Sequence, residues 1–209
     1  MDGRVASKTG YSMLSCKEDL ELLHSLRYWS DAVLIGANTA VKDDPRLTVR
    51  LVEGVSPYRI VVSSSLRVDP THRLFSVPEK SILMTTERWN EAHLKKYTLR
   101  GIGVIQAGLD RVDLYKGLCE LRKRGIKKIL VEGGGRINYS LISMGLVDEV
   151  WVTIAPEVFG SGVSVFQGEG VDGFMNKIEL ALMEVKMLCG GWINLRYNVV
   201  KPKKVLCRA

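Results

Sequence analysis

Short runs of branched apolar residues recur along the first two thirds of the chain, and they constrain its fold more than any other feature. These runs lie at residues 32–36, 59–63, 81–85, 102–106 and 128–132. Runs of this length that are apolar on both faces are typical of parallel strands in a sheet that is covered on both sides. Between the last two runs, Leu114, Leu118 and Leu121 are spaced for one face of a helix. This order of strand, helix and strand predicts a βαβ unit with a right-handed crossover.

Two further segments have helical spacing. Residues 16–29 are expected to form a helix whose inner face carries Leu20, Leu23 and Leu26. Residues 137–144, which follow a glycine run, are expected to form another.

The carboxyl end of the chain has a different character. Residues 178–187 and 192–200 predict two strands, and Gly190-Gly191 between them is a hairpin signal. The fold class is therefore predicted to be α/β, with a mostly parallel central sheet and an antiparallel C-terminal hairpin.

Length and composition favour one domain. The 209 residues are 46% hydrophobic, which is enough to bury a substantial core, and no Pro/Gly/Ser-rich linker marks a boundary. We therefore expect a single domain over residues 1–209, with a basic tail at about 201–209. No apolar run approaches the roughly 20 residues of a membrane span, and no signal-peptide core is present, so a cytoplasmic protein that does not bind membranes is expected.

The net charge of +7 favours an anionic ligand, and nucleic acid, a dinucleotide or a sugar phosphate would each satisfy it. The four cysteines, Cys16, Cys119, Cys189 and Cys207, lie far apart and form no C-x-x-C pair. The sequence therefore predicts thiols in a reducing compartment and no metal centre.

Three glycines, Gly133 to Gly135, stand between a predicted buried strand and a predicted helix. In open α/β sheets ligands bind beyond the carboxyl ends of the strands, where free helix N–H groups favour phosphate. The alternative is a simple tight turn. Glu132, at the tip of the same strand, either caps the helix or faces a ligand hydroxyl or amine.

The segment 35–50 leads from a strand into a polar connection. Asp44 precedes Pro45 and is expected to be extended, so that a defined turn presents Asp43. The alternative is a turn that caps a helix. Arg46 and Arg50 are suited to clamp a phosphate, or else they are surface charges.

The strand exit at 63–67 is rich in serine. Ser63, Ser64 and Ser65, together with Arg67, suit the 2′-phosphate of NADPH, whereas an acidic residue would suit the free hydroxyl of NADH. A serine-rich strand exit without a ligand is the alternative.

Taken together and in this order, the segments resemble the reductase domain of riboflavin biosynthesis, in particular the archaeal-type 2,5-diamino-6-ribosylamino-4(3H)-pyrimidinone 5′-phosphate reductases. The resemblance is carried by DGRVA (2–6), SCKEDLELLHSLR (15–27), DAVLIGANTAVKDDPRLTVR (31–50), RIVVSSSLR (59–67), ILVEGGGRIN (129–138) and GLVDEVWVTIAPEVFGSG (145–162). It implies a dihydrofolate-reductase-like three-layer fold, a homodimer, and NADPH-dependent reduction of a phosphorylated ribosylamino-pyrimidine to its ribitylamino product.

The resemblance also implies roles for individual residues. The cofactor contacts would be Thr39, Asp43, Ser63, Ser64, Ser65, Leu66, Gly133, Gly134, Gly135 and Arg136. The substrate contacts would be Ser12, Arg27, Leu47, Arg50 and Glu132. The catalytic residues would be Glu132 and Arg4. Glu132 would lie beside the reacting sugar, near the group that assists protonation, and Arg4 takes the basic position of the family's D-G-K/R motif.

The sequence departs from the family pattern at two places. Family members usually carry a β-strand ahead of the D-G-K/R motif, where this chain has only Met1 before Asp2, and Arg136 stands where threonine is usual. The H-x-E and P-C-x-x-C signature of a zinc deaminase is absent from these residues, so we do not expect a bifunctional deaminase-reductase.

Other functions remain open at this point. The substrate is alternatively the deaminated 5-amino-6-(5-phosphoribosylamino)uracil, or the chain is a dihydrofolate-type pterin reductase. A catalytically inactive regulator is a third possibility. A nucleic-acid-binding protein is disfavoured, because the sequence has no recognisable reading motif and no interleaved aromatic residues.

Overall fold

The structure, a computed structural model, describes residues 1–170 and 177–200 and divides the chain into two compact units. Residues 24–134 are called the sheet unit here, and residues 1–23, 135–170 and 177–200 together the hairpin unit. Within the described residues, no helix combines the length and apolar character needed to cross a membrane. The basic tail predicted at 201–209 lies outside the described residues, and the single domain over 1–209 stays a prediction.

Strands and helices alternate along most of the chain. The strands are β1 (Arg4–Ser7), β2 (Ala32–Gly36), β3 (Tyr58–Val62), β4 (Ser81–Thr85), β5 (Gly103–Gln106), β6 (Ile129–Val131), β7 (Glu149–Ile154), β8 (Gly162–Ser164), β9 (Leu180–Leu188) and β10 (Trp192–Val199). The helices are α1 (Lys17–Trp29), α2 (Ala37–Asp43), α3 (Glu91–Thr98), α4 (Leu114–Lys123) and α5 (Gly135–Ser143), and 3-10 turns occur at Arg73–Phe75 and Pro78–Lys80. The α/β class is confirmed, and the predicted strands of the sheet unit match within about a residue at each end.

The sheet unit is built on a five-stranded sheet in the order β5-β4-β3-β2-β6, and every neighbouring pair is parallel. All five residues of β2 and of β4 are buried, as expected for strands covered on both faces. From β2 the chain adds β3, β4 and β5 on one side and then returns to place β6 on the other. The order of addition reverses between β2 and β6, and such a switch point opens a crevice at the carboxyl ends of the two strands.

Two helices of the sheet unit were not predicted. α2 has only seven residues, and its buried positions are the small side chains of Ala37 and Ala40. α3 has a polar sequence whose first turn is capped by the Asn90 side chain. Helix α2 receives no side-chain cap, so the sequence carries no capping signal for it. It follows directly from β2 at the switch point.

The buried face of α1 differs from the prediction. In place of the leucine stripe, the buried side chains of this helix are His24 and Arg27, whereas Leu20 is 39% exposed. His24 and Arg27 are three residues apart and therefore share one helical face. That face is polar because it contacts the polar loops described below.

The hairpin unit contains the predicted antiparallel hairpin. β9 and β10 pair over their length and β10 also pairs with β7, which gives a three-stranded sheet in the order β7-β10-β9. The turn uses the left-handed region at Cys189 and Gly190, with φ of 30° and 62°. In the same unit, β1 pairs with β8.

Cys16 and Cys189 form a disulfide bond, so the prediction of unpaired thiols is wrong for these two residues. Cys16 immediately precedes α1, and Cys189 lies in the β9–β10 turn. The indole nitrogen of Trp192 also donates to the Leu14 carbonyl at 2.7 Å, beside the disulfide. The pairing was not visible in the sequence because 173 residues separate the two cysteines.

Tyr97 of α3 fastens the core of the sheet unit to the loop after β3. Its ring is fully buried, and its hydroxyl donates to the carbonyl oxygens of Leu66 and Val68 at 3.0 and 2.8 Å. Burial raises the pKa of the Tyr97 phenol to about 12. The neutral phenol is therefore favoured by the folded state.

We expect Tyr97→Phe to lower the free energy of unfolding by about 1–3 kcal/mol, because two buried carbonyl groups lose their donor. In the native chain, stability should also fall as the pH rises from 10 to about 12, since the unfolded state releases the Tyr97 proton first. Urea unfolding at pH 8 and pH 11 measures both effects. The variant should lack this alkaline loss, and Tyr58→Phe, at a half-exposed ring, serves as control. Equal alkaline sensitivity of the variant and the native chain would contradict the assignment.

Candidate active site

The loops that follow β2 and β6 meet at the switch point of the sheet. The Gly36 amide donates to the Gly133 carbonyl at 2.8 Å, and the Glu132 amide donates to the Leu34 carbonyl at 3.1 Å. These bonds continue the β2–β6 pairing past the end of β6. The glycine run and the start of α2, which the sequence analysis singled out separately, are therefore neighbours.

Thr39 and Asp43 lie four residues apart on α2 and so share one face of this helix. Asp44 caps the carboxyl end of α2 in a left-handed conformation, with φ 38° and ψ 56°. The extended conformation expected from the following proline is therefore wrong, and the helix-capping turn is correct. Aspartate is one of the few non-glycine residues that tolerate this region.

Gly134 leaves space beside Thr39. A Cβ atom at this position would lie 3.0 Å from the Thr39 hydroxyl oxygen, and Gly133 has φ +97°. A glycine is therefore favoured at both positions, at 134 because a side chain would crowd Thr39 and at 133 because the backbone is left-handed. The result is a loop of bare backbone facing α2.

The strand exit after β3 contains Ser63, Ser64, Ser65 and Leu66. The Ser63 hydroxyl is buried and, among the described residues, has no hydrogen-bond partner. The Ser64 hydroxyl accepts from the Val112 amide at 3.3 Å, whereas Ser65 is exposed. Leu66 is in the left-handed region with φ 51°.

This exit is held from the neighbouring loop. Arg88 and Trp89 donate to the Ser64 carbonyl at 2.8 and 2.9 Å, and the Arg88 guanidinium stacks over the Trp89 ring at 4.6 Å. The backbone of the strand exit is thus fixed while the Ser63 hydroxyl keeps its hydrogen-bonding capacity. A buried hydroxyl without a protein partner is consistent with a polar ligand.

Arg27 and Glu132 form a bidentate ion pair. The Arg27 Nε and Nη2 atoms donate to the two carboxylate oxygens of Glu132 at 2.6 and 2.7 Å, and Nη1 donates to the Thr48 carbonyl at 3.1 Å. The side chains of Arg27 and Glu132 are only 8% and 14% exposed. Three of the five guanidinium N–H donors are therefore used within the protein. The main role of the Arg27 guanidinium within the protein is to orient the Glu132 carboxylate and the backbone of residues 48–50.

His24 anchors the same segment from α1. Its Nδ1 accepts from the amides of Arg50 and Leu51 at 2.8 and 3.3 Å, so the ring must be neutral at this nitrogen. Burial lowers the pKa of His24, and the charges of Arg27 and Arg50 lower it further. The position of the Arg50 backbone therefore depends on a neutral imidazole.

A cavity of about 310 Å³ opens in the sheet unit and is lined largely by arginine. Its walls are Arg27, Pro45, Arg46, Leu47, Arg50 and Arg73. Three residues that the resemblance implies as substrate contacts, Arg27, Leu47 and Arg50, thus share one cavity. Leu47 is buried and left-handed, with φ 53°, and supplies the apolar wall.

The cavity is electropositive. Burial lowers the pKa of Arg50, and repulsion from Arg27, Arg46 and Arg73 lowers it further. Within the described part of the chain, the Arg46 guanidinium makes no ion pair or hydrogen bond, and that of Arg50 donates only to the Thr48 hydroxyl at 2.7 Å. An anionic ligand would relieve this repulsion.

The remaining predicted site residues lie in the hairpin unit. Arg4 on β1 donates to the Ser164 hydroxyl, Ser12 is exposed, and Arg136 is exposed on α5. Gly135 begins α5, and its carbonyl accepts from the Gln167 amide at 3.0 Å. Their roles toward a ligand stay predictions.

Sequence reasoning missed two residues at this site. His24 had a signal, namely its spacing of three residues from Arg27 on a predicted helix. Arg73 had none, because it reaches the cavity from a 3-10 turn far along the chain.

The arrangement combines two features. A carboxylate held by a buried arginine stands at the end of β6, beside a glycine loop, and an arginine-lined cavity extends from the same ion pair. The glycine loop, the α2 face and the buried Ser63 hydroxyl fit a phosphate-bearing dinucleotide at the switch point. The cavity fits a second anionic group.

Comparison with known proteins yields concordant matches. The RibD C-terminal domain family matches residues 1–194. The 2,5-diamino-6-ribosylamino-4(3H)-pyrimidinone 5′-phosphate reductase of Methanothermobacter thermautotrophicus is 38% identical over 187 residues, which cover 87% of this chain and 86% of that protein.

Solved structures match as well. A pyrimidine reductase-like protein from Corynebacterium diphtheriae has a TM-score of 0.77 and 27% identity, with 95% of this chain and 90% of that chain covered. RibD from Acinetobacter baumannii has a TM-score of 0.81 and 21% identity, and the match covers 95% of this chain but only 55% of that longer one. The predicted dihydrofolate-reductase-like fold is confirmed by these structural matches.

Removing either side chain of the Arg27–Glu132 pair should destabilise the fold. We expect Arg27→Met and Glu132→Gln each to lower the free energy of unfolding by about 3 kcal/mol, because the partner is left as a buried, uncompensated charge. The free energy of unfolding of the double variant should fall by clearly less than the sum of the two single losses. Urea unfolding measures the cycle, and Lys17→Gln, at an exposed ion pair, should cost under about 1 kcal/mol. Additive losses would mean that the two side chains do not act as a pair.

Proposed function

The chain belongs to the RibD C-terminal domain family, and from this premise we propose that it reduces the ribosyl group of 2,5-diamino-6-(5-phosphoribosylamino)pyrimidin-4(3H)-one to a ribityl group in riboflavin biosynthesis. The family identifies the chain as an oxidoreductase, a pyrimidine reductase. The observation that carries the substrate assignment is the arginine-lined cavity beside the Arg27–Glu132 pair. A phosphorylated sugar presents an anion and a reacting carbon in one molecule, and the sheet unit offers a place for each.

We propose NADPH as the cofactor, and when bound it would supply the hydride. The chain would hold it at the switch point through Thr39 and Asp43 on α2 and through the backbone of the glycine run. The hydroxyls of the strand exit at 63–65 would receive the 2′-phosphate, and the unpartnered Ser63 hydroxyl supports this placement. No acidic residue stands at positions 63–66 to repel that phosphate.

The reaction needs an open-chain form of the sugar. The ribosylamine ring opens as its ring oxygen gains a proton, and C1′ becomes doubly bonded to the exocyclic nitrogen. The exocyclic nitrogen keeps its hydrogen, so the open form is a protonated imine. Hydride then adds to C1′ and leaves a neutral amine, and the proton on the former ring oxygen is the only one consumed. The protonated imine carries positive charge next to the reacting carbon, so a nearby ionised carboxylate stabilises it.

Glu132 is suited to that role. Its two oxygens are held in one orientation by Arg27, and further lone pairs remain for a ligand N–H or O–H group. Arg27 acts as a positioning residue in this scheme. Arg50, whose backbone is held by His24, would meet the substrate phosphate with Leu47 packed against the sugar.

The oligomeric state is a further part of the proposal. β9 is an edge strand of the three-stranded sheet, and Leu182, Val185 and Met187 on it are each more than half exposed. An apolar edge strand of nine residues pairs readily with another strand. We propose that a second copy of this chain covers it, as the resemblance to the family implies.

The function is tested by following NADPH oxidation with the diamino substrate and the deaminated 2-oxo substrate side by side. We expect turnover with the diamino substrate. In Glu132→Gln, kcat should fall about a hundredfold with little change in KM, because a preorganised charge is removed from the transition state. Glu91→Gln, at an exposed carboxylate on α3, is the control, and circular dichroism checks folding. Turnover with the 2-oxo compound alone would mean that the deaminated pyrimidine is the substrate. Turnover with neither compound, or only with dihydrofolate, would refute the proposal.

Met187→Lys should separate the proposed dimer, because a charge on each edge strand opposes pairing. Size-exclusion chromatography with light scattering is expected to give a dimer mass for the native chain and a monomer mass for the variant. Leu99→Lys, at a leucine of similar exposure just after α3, should stay dimeric. A monomeric native chain would contradict the proposal.

A further inference from the structure

Arg73 enters the cavity from the 3-10 turn that follows β3, and it is held there by Asp44. The Asp44 carboxylate accepts from the Arg73 amide at 2.7 Å and from Nε at 3.1 Å, and the Asp44 carbonyl also accepts from Nε at 2.8 Å. Of the guanidinium donors of Arg73, these contacts occupy only Nε. Among the described residues, no protein acceptor takes a hydrogen bond from the two terminal nitrogens of Arg73.

Asp44 owes this role to its unusual backbone. At φ 38° it ends α2 with its own amide bonded to Ala40, and both its carbonyl and its carboxylate remain available to Arg73. The second aspartate of the D-D-P segment thus points at an arginine 29 residues away. The first, Asp43, remains on the helix face that we assign to the cofactor.

The charges in this region suit a phosphate monoester. Arg27, Arg46, Arg50 and Arg73 line the cavity, while two carboxylates, Glu132 and Asp44, pair with Arg27 and Arg73. Two positive charges therefore remain without a protein partner. A phosphate monoester carries close to two negative charges at neutral pH.

Arg27 is a poor candidate for the main phosphate contact. Its guanidinium already donates to both oxygens of Glu132 and to the Thr48 carbonyl. The Arg73 guanidinium is bound by Asp44 only through Nε, and its side chain is half exposed. Asp44 therefore orients the guanidinium and leaves its two terminal nitrogens available as paired donors to an anion.

We propose that Arg73 is a specificity-determining residue that binds the phosphate of the substrate, and that Asp44 is its positioning residue. The inference rests on the proposed function for the identity of the substrate, but not for the recognition of a sugar phosphate. Arg27 is thereby assigned to Glu132, and recognition of the phosphate falls to Arg46, Arg50 and Arg73.

The test uses ribose 5-phosphate and ribose as probes with the cofactor-free protein, by isothermal titration calorimetry. The native chain should bind ribose 5-phosphate and prefer it to ribose. Arg73→Gln should weaken that binding about tenfold or more, the loss of a charge-assisted hydrogen bond. Arg73→Lys, which keeps the charge without the fork, should be intermediate, and Arg122→Gln on the exposed face of α4 should match the native chain.

The Asp44→Ala variant tests whether Asp44 acts by positioning the Arg73 guanidinium or by a general effect on the cavity. It should weaken binding in the native background but not in the Arg73→Gln background, where there is no guanidinium left to place. In the turnover assay, Arg73→Gln should raise KM for the phosphorylated substrate with kcat nearly unchanged, and turnover of the dephosphorylated substrate should not respond.

The outcomes are distinct. Equal affinity of Arg73→Gln and the native chain for ribose 5-phosphate, or no binding by the native chain, would overturn the role of Arg73. An equal loss from Asp44→Ala in both backgrounds would overturn the positioning role. If ribose 5-phosphate binds through Arg73 but no pyrimidine is reduced, the proposed function fails while this inference stands.

Discussion

The bidentate pair between Arg27 and Glu132 organises the sheet unit around its crevice. It joins α1 to the end of β6, and through the Thr48 carbonyl it also fixes the segment that carries Leu47 and Arg50. Two charges removed from water in this way are stabilising only when their geometry and remaining hydrogen bonds are nearly complete. That requirement explains why the buried face of α1 is polar and why His24, one turn earlier, is bound to the same segment. A leucine stripe on this face would leave the carboxylate of Glu132 unpaired.

The sheet order gives the pair its chemical context. Because β6 lies on the opposite side of β2 from β3, the switch point of the sheet falls between β2 and β6, where the Gly36–Gly133 hydrogen bond joins the loops that follow these strands. Ligands of open α/β sheets bind at such a point, and glycines allow close approach to the backbone. In the proposed mechanism, the carboxylate that is held in this ion pair would also face the ligand, so that stability and catalysis would be linked through one residue. The electropositive cavity begins at the other partner of the pair.

Much of the fold was predictable because its signals are local. The runs at 32–36 and 81–85 coincide with β2 and β4, since branched apolar residues in short runs have few other stable arrangements. The hairpin was predictable from Gly190-Gly191, which the turn needs for its left-handed backbone. Helix α2 was not, because seven residues without a cap, whose buried side chains are only two alanines, carry a weak helix signal. The backbone conformation of Asp44 was mispredicted as extended. Pro45 disfavours a helical conformation at Asp44, but the contacts that Asp44 makes at the end of α2 and with Arg73 outweigh that bias.

The sequence by itself determined the α/β class, the strand positions, the glycine loop and the family, and with the family the expected site residues. Only the tertiary structure decided which of these residues act together. Arg27 and Glu132 are 105 residues apart, Asp44 and Arg73 29 apart, and Cys16 and Cys189 173 apart. Secondary structure follows from interactions between near neighbours in the chain. Ion pairs, anchors and disulfides depend on which distant segments the folded backbone brings within a few ångströms, and no local pattern encodes that distance.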